Sequence, residues 1–498
     1  MSSASASESA INESQLFIDG ERRSAAGNRT YPIYNPARPD ELVGHAAKAS
    51  VEDANAAFSA AHKAFGAWSR LSYAERGEYL ARVAAHLTAD AADLQARVHL
   101  FTREHGKILK ESQIEMSRLG GRFLNVASYA ARLEEEEHLK GPPFDALITR
   151  RPRGVALLVV PWNWPLSILG AKLPQALMAG NTVVIKLPEN AAMGPAQTVA
   201  KIAEMLPPGV VNLITGSSSE IGDAMLTHPT VSMINFTGSI AVGSHVMALA
   251  ARRIVPVTLE LGGNDAGLVL EDAVLDEAAL TRMYLGAFMT SGQICMALKR
   301  LYVHRSRWDE VVQGLSAIAE RQVVGDGLDA RTTMGPVNNA KQLKVVTDMI
   351  AQARAAGAEV KAFGQVTDPA LFEAGHFQRP TLVLNPDSAL DVVREEQFGP
   401  VLPIIAVDDE ADGIRQANDS RFALCSSVWT ADMDRAVRVS RRLEAGYTYI
   451  NAHGPMGQDD RAPFGGFKQS GIGRNLGYEG VLSFQGFQSI VGPQGALL

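Results

Sequence analysis

The sequence predicts an α/β protein whose strands and helices alternate in two successive blocks. From about residue 154 to 262, short apolar runs bounded by glycine or proline alternate with segments of helical spacing. A second alternating block follows from about residue 264 to 460. Alternation at this spacing is typical of parallel sheets that helices cover on both faces.

The segment before the first block is predicted to be helical. Ser50 is an N-cap candidate followed by an acidic first turn, and few Gly or Pro residues interrupt the Ala- and Leu-rich sequence that follows. The helices are expected at 51–68, 72–89 and 91–106. Residues 1–14 are small and polar, and we interpret them as a flexible tail.

The two blocks give the following elements in chain order. In the first block, strands are expected at 154–162, 181–188, 209–216, 231–236 and 256–260, and helices at 167–180, 194–206, 218–225 and 239–251. In the second block, strands are expected at 266–270, 299–304, 379–384, 401–406, 424–430 and 446–451, and helices at 276–290, 307–323, 338–356, 410–418 and 432–443. The Gly262-Gly263 pair between the blocks is the expected domain boundary, and a crevice at such a junction is a common ligand site.

Charge and cysteine content exclude several classes of protein. The 498 residues hold 47 Lys and Arg against 54 Asp and Glu, a net charge of −7 that excludes a broadly basic nucleic-acid binder. Only Cys295 and Cys425 are present, which excludes a disulfide framework and a zinc site of several thiolates, and no metal is expected. No apolar run reaches the about 20 residues that a membrane-spanning helix needs, so we expect a cytoplasmic protein without a membrane partner.

Two strand ends in the first block carry residues suited to a phosphate and a ribose. The turn with Gly238 and Ser239 follows a strand and opens a helix, whose backbone N–H groups would face a phosphate. Lys186 and Glu189 lie at the C-terminal end of a neighbouring strand, where ligands bind in open α/β sheets. A plain strand–helix turn and two surface charges would give the same pattern.

Three further residues are candidates for covalent chemistry. Cys295, in the segment SGQIC, is a candidate thiolate nucleophile, although a lone cysteine is also often a small buried hydrophobe, as Cys425 in its apolar strand is expected to be. Glu260 ends a strand beside two glycines, where it is either a general base of raised pKa or a capping carboxylate. Asn163, between tryptophans and prolines, is either an oxyanion donor or part of an aromatic turn.

Seven ordered motifs decide between these alternatives. They are PWNWP, VVIKLPE, FTGS, LELGGN, GQIC, EEQFGP and PFGGFKQSGIGR. From about Phe17 to Phe484 the chain resembles the aldehyde dehydrogenase superfamily, in its NAD(P)-dependent hydrolytic type. The resemblance implies two Rossmann-like three-layer domains, one cofactor-binding and one catalytic, plus a small β oligomerisation element.

The resemblance also implies boundaries for these parts and a homodimer or homotetramer. Residues 15–135 and 153–262 would form the NAD(P)-binding domain, 263–460 the catalytic domain, and 136–152 with 484–498 the oligomerisation element, while 461–483 would return to the cofactor-domain side.

Site residues carry over from the family by position. Cys295 is implied as the nucleophile and Glu260 as the general base, with Asn163 as oxyanion donor alongside the Cys295 backbone N–H. Lys172 matches a lysine that is a candidate proton relay in some relatives. The implied cofactor contacts are Val160, Trp162, Lys186, Glu189, Gly238, Ser239, Gly262, Glu396 and Phe398. The expected substrate-tunnel residues are Trp164, Ile168, Ala171, Met289, Ile294, Met296 and Gln458.

The implied reaction is oxidation of an aldehyde to its carboxylic acid with NAD as cofactor. The Cys295 thiolate would add to the carbonyl, and hydride loss from this thiohemiacetal would leave a thioester that water activated by Glu260 hydrolyses. Relatives that pass the acyl group to coenzyme A typically lack this base. Glu189 favours NAD over NADP because a carboxylate repels a 2′-phosphate, although Lys186 nearby would partly neutralise that phosphate, so NADP stays open.

Departures from the family pattern bear on the relay and the substrate. Asn475 stands where many relatives have Glu, which puts a relay with Lys172 in doubt. The mostly apolar tunnel positions favour an apolar or aromatic aldehyde, and Ala171 widens the funnel, whereas Arg461 could hold the anionic tail of a semialdehyde. Two rival interpretations remain: a cofactor-independent cysteine hydrolase that uses His453, and a non-catalytic binding protein of the same fold.

Overall fold

The computed structural model describes residues 13–497, which contain two large β-sheets. The first sheet has eight strands, and its five central strands are parallel while the outer ones are antiparallel. In spatial order the strands are Gly471–Ile472, Val257–Glu260, Val231–Thr237, Val155–Val159, Thr182–Lys186, Val211–Ile214, Leu16–Ile18 and Glu21–Arg23. The five strands expected in the first block therefore form the centre of this sheet, where both faces are buried.

Helices cover both faces of the eight-stranded sheet. The first begins at Val51 because Ser50 and Asp53 form a capping box, in which the Ser50 backbone N–H donates to the Asp53 carboxylate at 2.9 Å. The single helix expected at 167–180 is wrong, since two short helices meet at Lys172, whose φ of −128° is not helical. The helices are Val51–Trp68, Tyr73–His86, Ala91–His105, Leu109–Ala127, Ala130–Glu134, Pro165–Gly170, Leu173–Met178, Met193–Glu204, Ser218–Leu226, Ile240–Ala251 and Gly477–Leu482.

The second sheet has seven strands, and all are parallel except one edge strand. In spatial order they are Glu359–Ala362, Thr381–Leu384, Val401–Val407, Leu298–His304, Asp265–Val269, Cys425–Trp429 and Tyr447–Ile450. Its helices are Glu277–Phe288, Trp308–Glu320, Ala340–Ala355, Pro369–Ala374, Asp391–Arg394, Glu410–Asn418 and Met433–Ser440. The chain passes from the first sheet to the second at residues 261–264, where the Gly262-Gly263 boundary was expected.

A separate antiparallel sheet joins the middle of the chain to its C-terminal segment. Its strands are Gln485–Pro493, Phe144–Pro152 and Glu137–Leu139, and the first two pair over nine positions. Phe144, Phe487 and Val491 are exposed on this sheet. Exposed large apolar side chains therefore cluster on this small sheet, a feature that is common where proteins contact other molecules.

The N-terminal segment is ordered earlier than the sequence indicates. Residues 1–12 of the expected flexible tail lie outside the described residues, but Glu13 and Ser14 pair in parallel with His45 and Ala46. The prediction of a flexible tail is therefore wrong for its last two residues, because the backbone of the neighbouring strand supplies hydrogen-bond partners for them. The strands of that small sheet are Glu13–Ser14, Arg38–Ala47 and Thr30–Asn35. Among residues 13–497, no helix is both long and apolar enough to cross a membrane.

Candidate active site

Cys295 lies on a strained loop that follows the helix Glu277–Phe288. Thr290 and Ser291 on this loop have positive φ values of 52° and 55°, which residues with a β-carbon rarely adopt. The Thr290 backbone N–H donates to Glu111 Oε1 at 2.7 Å, so a buried carboxylate from another helix holds the loop. Burial raises the pKa of the Cys295 thiol to about 12. The loop therefore holds a half-buried, protonated thiol in a fixed place.

Asn163 lies in the turn between the strand Val155–Val159 and the helix Pro165–Gly170, at the carboxyl end of a central strand. Its side chain is buried, and its Nδ2 donates to the Gln293 carbonyl oxygen at 2.9 Å. The backbone carbonyl oxygen of Asn163 accepts a hydrogen bond from Lys107 Nζ at 2.9 Å. The side-chain amide is thus oriented on the Cys295 loop, as an oxyanion donor must be.

Glu260 is the last residue of its strand and is buried. Neither carboxylate oxygen has a hydrogen-bond partner among residues 13–497. Desolvation raises the pKa of Glu260 to about 8, against the opposing charges of Lys172 and Arg474. A buried carboxyl with free oxygens and a pKa near neutrality is suited to take a proton from water.

A chain of amide groups links Lys172 to Asn475. The buried Lys172 Nζ donates to Asn235 Oδ1, and Asn235 Nδ2 donates to Asn475 Oδ1 at 2.7 Å. Burial lowers the pKa of Lys172 to about 7, against the favourable charges of Glu260 and Cys295. Asn475 cannot itself take up a proton, so this chain orients the lysine rather than ending at a second base.

One cavity of about 120 Å³ brings several of the side chains described above together. Its lining includes Cys295, Glu260, Asn163 and Asn475 as well as the expected tunnel residues Trp164, Ile168, Ala171, Ile294, Met296 and Gln458. The prediction that Met289 lines the substrate tunnel is wrong, because Met289 is not among the lining residues. It packs against Trp164 and Ile294 in the cluster behind the wall, because it begins the turn that precedes the cavity rather than the part that faces it.

The sequence interpretation also missed one wall of the cavity, and it assigned the binding of an anionic substrate group to the wrong arginine. Ile114, Arg118, Leu119 and Arg122 of the helix Leu109–Ala127 line the cavity. Three of them are four residues apart along one helix face, which was the only signal in the sequence. Arg461, the expected anion holder, is exposed and bound to Asp459 at 2.6 Å, and it is not among the lining residues.

Besides the cavity, a cleft of about 770 Å³ runs along the carboxyl ends of the eight-stranded sheet and reaches Cys295. We call it the second cleft. All nine residues expected to contact a cofactor line this cleft: Val160, Trp162, Lys186, Glu189, Gly238, Ser239, Gly262, Glu396 and Phe398. Cys295 and Asn163 border both the cleft and the cavity. Open α/β sheets bind dinucleotides at this edge, so the position of the cleft fits such a ligand.

The groups in the cleft match the parts of a dinucleotide. Ser239 caps the helix Ile240–Ala251, whose N-terminal N–H groups suit a phosphate. Glu189 Oε1 accepts from the Ser218 backbone N–H at 2.8 Å, and burial lowers the pKa of Lys186 to about 8. A β-carbon at Gly262 would lie 2.3 Å from Glu396 Oε2, so only glycine fits beside that carboxylate. Among residues 13–497, no cluster of three acidic, His or Cys side chains is placed to hold a metal ion.

Comparison with known proteins agrees with this arrangement. Residues 23–490 match the model of the aldehyde dehydrogenase family. The chain is 35% identical to a chloroplastic aminoaldehyde dehydrogenase of Arabidopsis thaliana, over 94% of this chain and 93% of that protein. It is 34% identical to the chloroplastic betaine aldehyde dehydrogenase of Beta vulgaris, over 96% of each. The crystal structure of betaine aldehyde dehydrogenase from Staphylococcus aureus with NAD+ matches with a TM-score of 0.90 and 32% identity, covering 97% of this chain and 95% of that one.

Fold and site together define an α/β enzyme in which a dinucleotide-sized cleft and a substrate cavity meet at one cysteine. The chain belongs to the aldehyde dehydrogenase family and is an oxidoreductase that acts on aldehydes. The resemblance seen in the sequence and the expected α/β fold are confirmed.

Proposed function

We propose that this protein oxidises an aldehyde to the free carboxylic acid through a thiohemiacetal and a thioester on Cys295, with NAD as cofactor. The observation that carries the proposal is that Cys295, Asn163 and Glu260 border one cavity at the point where it meets the second cleft. A thiol, an amide donor and a buried carboxyl at one place serve addition, oxyanion stabilisation and hydrolysis.

The first half of the reaction uses Cys295 and Asn163. The thiol loses its proton, its sulfur attacks the carbonyl carbon, and the oxygen that becomes negative accepts hydrogen bonds from Asn163 Nδ2 and the Cys295 backbone N–H. The nicotinamide of bound NAD supplies the hydride acceptor that turns the thiohemiacetal into a thioester. Because burial raises the thiol pKa to about 12, the thiol loses this proton to water in the cavity as the sulfur attacks, and Glu260 stays free for the hydrolysis that follows.

The second half uses Glu260. Its carboxylate takes a proton from water, the hydroxide attacks the thioester carbonyl, and the Cys295 sulfur leaves as the carboxylic acid forms. The amide chain from Lys172 to Asn475 keeps the lysine ammonium on the Glu260 side of the cavity, where its charge favours the ionised carboxylate. Hydrolysis therefore depends on one carboxyl, and release as a coenzyme A ester is disfavoured.

Glu260→Gln is expected to slow thioester hydrolysis by about 10²- to 10⁴-fold, because it removes the base. Aldehyde and NAD mixed with the variant should give one equivalent of NADH per site and then almost no further turnover.

In the unchanged enzyme, kcat should rise with pH through about 8, since the pKa of Glu260 is raised and only the deprotonated form above that pH accepts a proton. Stopped-flow absorbance and a pH–kcat profile measure both effects.

The matched control is Glu479→Gln, at an exposed glutamate of the helix Gly477–Leu482 that is not among the cavity-lining residues. It should keep the unchanged rate and pH profile. An unchanged steady-state rate in Glu260→Gln would show that another base hydrolyses the thioester. Failure of every aldehyde in a panel of aliphatic, aromatic and acidic compounds to reduce NAD or NADP would contradict the proposed function itself.

The cofactor assignment rests on the residues along the second cleft. Ser239 and its helix N-terminus would hold the pyrophosphate, Lys186 and Glu189 the adenosine ribose, and Glu396 the nicotinamide ribose. The NAD+ bound in the structure from Staphylococcus aureus, at 32% identity, supports NAD as the cofactor here. The eight-stranded sheet, with residues 15–135, 153–262 and 461–483, then forms the cofactor-binding domain, and residues 263–460 form the catalytic domain.

Glu189→Gln is expected to raise kcat/KM with NADP by roughly tenfold or more, while kcat/KM with NAD falls only slightly. The glutamine keeps an oxygen that can accept from Ser218 N, but it removes the charge that repels a 2′-phosphate. Lys186, with a pKa of about 8, stays mainly charged at pH 7 and would then attract that phosphate. Initial rates with both cofactors test this, and an unchanged NADP rate would show that Glu189 does not face the ribose.

Surface and composition support a proposal for the quaternary arrangement and the location. We assign the antiparallel sheet with exposed Phe144, Phe487 and Val491 to the oligomerisation element of a homodimer or homotetramer. Both cysteines, Cys295 and Cys425, are free thiols, which supports a reducing, cytoplasmic location.

The cavity supports an aldehyde with an apolar or aromatic body. Its wall contains Trp164, Ile168, Ile294, Met296 and Phe464. At about 120 Å³ it is similar in size to an engineered cavity of about 150 Å³ that holds benzene. The names of the relatives indicate aminoaldehydes and betaine aldehyde as their substrates. A substrate of this chain must suit the apolar wall as well as the charges at its end.

The rival cysteine hydrolase has no support in the geometry. His453 would have to act as base for Cys295, but its Nδ1 contacts Ser427 Oγ at 2.8 Å and its Nε2 lies 4.0 Å from Asp265. Burial lowers the pKa of His453 to about 3, and the residue is absent from the described cavity lining. A non-catalytic binding protein would need none of the three groups that converge on the cavity.

A further inference from the structure

The charges of the cavity lie on one helix and one loop. Arg118 and Arg122 are one turn apart on the helix Leu109–Ala127, and both line the cavity. Asp460, from the segment after the seven-stranded sheet, belongs to the same lining. The fourth charged residue in the lining is Glu260, at the reacting end. The outer part therefore has two guanidinium groups and one carboxylate.

Arg122 is already neutralised by its neighbours. Its Nε and Nη2 donate to the two carboxylate oxygens of Asp460 at 3.1 and 3.2 Å. Nη2 also donates to Gln458 Oε1 at 3.1 Å, and Nη1 donates to the Ser167 carbonyl oxygen. The side chain is only 14% exposed. Arg122 and Asp460 therefore form a fixed, paired part of the wall and add no net charge to it.

Arg118 differs from Arg122 in its exposure and in its lack of a partner. It is exposed, and it has no ion-pair or hydrogen-bond partner within the described part of the chain. It therefore leaves one uncompensated positive charge at the solvent end of a cavity whose inner wall is apolar. An arginine fork beside an apolar wall suits a planar carboxylate, which it binds with two parallel hydrogen bonds.

The opposite ligand charge is disfavoured by the same groups. A cation at this end would face Arg118 directly, and the carboxylate of Asp460 is occupied by Arg122. Burial keeps Glu260 mainly neutral at pH 7, so it offers little attraction to a cation from the far end of the cavity. Betaine aldehyde, the trimethylammonium compound named for the Beta vulgaris relative, carries the charge that this cavity repels.

We infer that Arg118 is a specificity residue that binds an anionic group, a carboxylate, at the far end of the aldehyde substrate. The substrate class is an aldehyde with an apolar or aromatic spacer and a terminal carboxylate. The inference rests on the proposed function, because it names the substrate class of the same cavity. It places the anion holder at Arg118 and not at Arg461, which Asp459 already pairs.

The test compares aldehydes that differ in one charge. Straight-chain ω-carboxyaldehydes of increasing length are assayed for NAD reduction beside the methyl ester of each and beside ω-trimethylammonio aldehydes. At the length that spans the cavity, the acid should exceed its ester in kcat/KM by about tenfold or more, mainly through KM, since a charged hydrogen bond is worth about that factor. The cationic aldehydes should be the poorest, and the ratio of acid to ester should fall with added salt.

Variants assign the effect to one side chain. Arg118→Gln should bring the acid-to-ester ratio close to one, and Arg118→Glu should reverse the order of acid and cation. Both should fold as the unchanged protein does, because the residue is exposed and has no partner to lose. Arg441→Gln, at an exposed arginine that is not among the cavity-lining residues, is the matched control and should leave the ratio unchanged.

The outcomes separate the two proposals. Equal rates for acid and ester at every length, or a preference for the acid that survives in Arg118→Gln, would overturn the role of Arg118 while aldehyde oxidation itself stands. Preference for the cationic aldehydes would overturn it as well. Absence of NAD reduction with all the aldehydes would contradict the proposed function, and the role of Arg118 would fall with it.

Discussion

Replacing Cys295 by alanine is expected to lower kcat for aldehyde oxidation by at least about 10⁴-fold, since loss of a covalent nucleophile removes the reaction path rather than weakening it. The thiol lies where the cavity and the second cleft meet, and no other cysteine lines either space. The protein should still fold and bind NAD, because the loop is held through Thr290 and Ser291, whose contacts do not involve the sulfur. NADH formation and titration of NAD binding by fluorescence measure the two properties separately.

The second cysteine supplies the matched control. Cys425 begins the strand Cys425–Trp429, is buried, and packs with Tyr449 and Phe464. Cys425→Ala should therefore keep the activity and cost roughly 1 kcal/mol of stability through lost packing. Retained dehydrogenase activity in Cys295→Ala, or its loss in Cys425→Ala alone, would contradict the assignment of the nucleophile.

The strands and the residues at their ends could be predicted from the sequence. Val183 to Ile185 form a continuous apolar run because a central parallel strand is buried on both faces, and Lys186 follows at the sheet edge where ligands bind. Glu260 and Asn163 are located by the same rule, since each lies at or just beyond the end of a strand. The local pattern places Lys186, Glu189, Gly238 and Ser239 at this edge, whereas the other five expected cofactor contacts, among them Glu396 and Phe398, were implied only by the family resemblance.

The wall of the cavity could not be predicted in this way. The face of the helix Leu109–Ala127 with Arg118 and Arg122 is indistinguishable in sequence from a solvated face, because only its packing against residues 163–168 directs it to the cavity. Met289 is apolar like a lining residue, but the turn that it begins directs it into the core behind the wall. Arg461 forms a salt bridge with Asp459, two residues away, and this carboxylate competes with any anionic substrate for the guanidinium group.

Glu115 of the same helix and Lys107, just before the helix begins, form a buried ion pair that holds the Asn163 turn. Lys107 and Glu115 are both fully buried and form a salt bridge. Lys107 Nζ also donates to the Asn163 carbonyl oxygen at 2.9 Å. Glu115 Oε1 accepts from the backbone N–H groups of Leu166 and Ser167 at 2.8 and 3.1 Å. Both ends of the turn that presents the proposed oxyanion donor are therefore fixed by one pair of opposite charges.

Lys107→Met is expected to lower the free energy of unfolding by about 3–5 kcal/mol, because it leaves the Glu115 carboxylate buried without its counter-ion. It should also lower kcat by about tenfold or more with little change in NAD affinity, since the Asn163 carbonyl loses its donor and the turn can shift away from Cys295. Thermal denaturation measures the first effect, and steady-state rates with a separate NAD titration measure the second.

The double variant Lys107→Met/Glu115→Gln separates stability from positioning. It should recover part of the lost stability, because the uncompensated carboxylate is gone, yet kcat should stay low because Asn163 still lacks its donor. Lys344→Met is the matched control: Lys344 pairs with Asp348 at 2.9 Å but is 75% exposed, so its loss should change stability by no more than about 1 kcal/mol. If the double variant regained full activity, the ion pair would serve folding alone, and the orientation of Asn163 would have to come from its bond to Gln293.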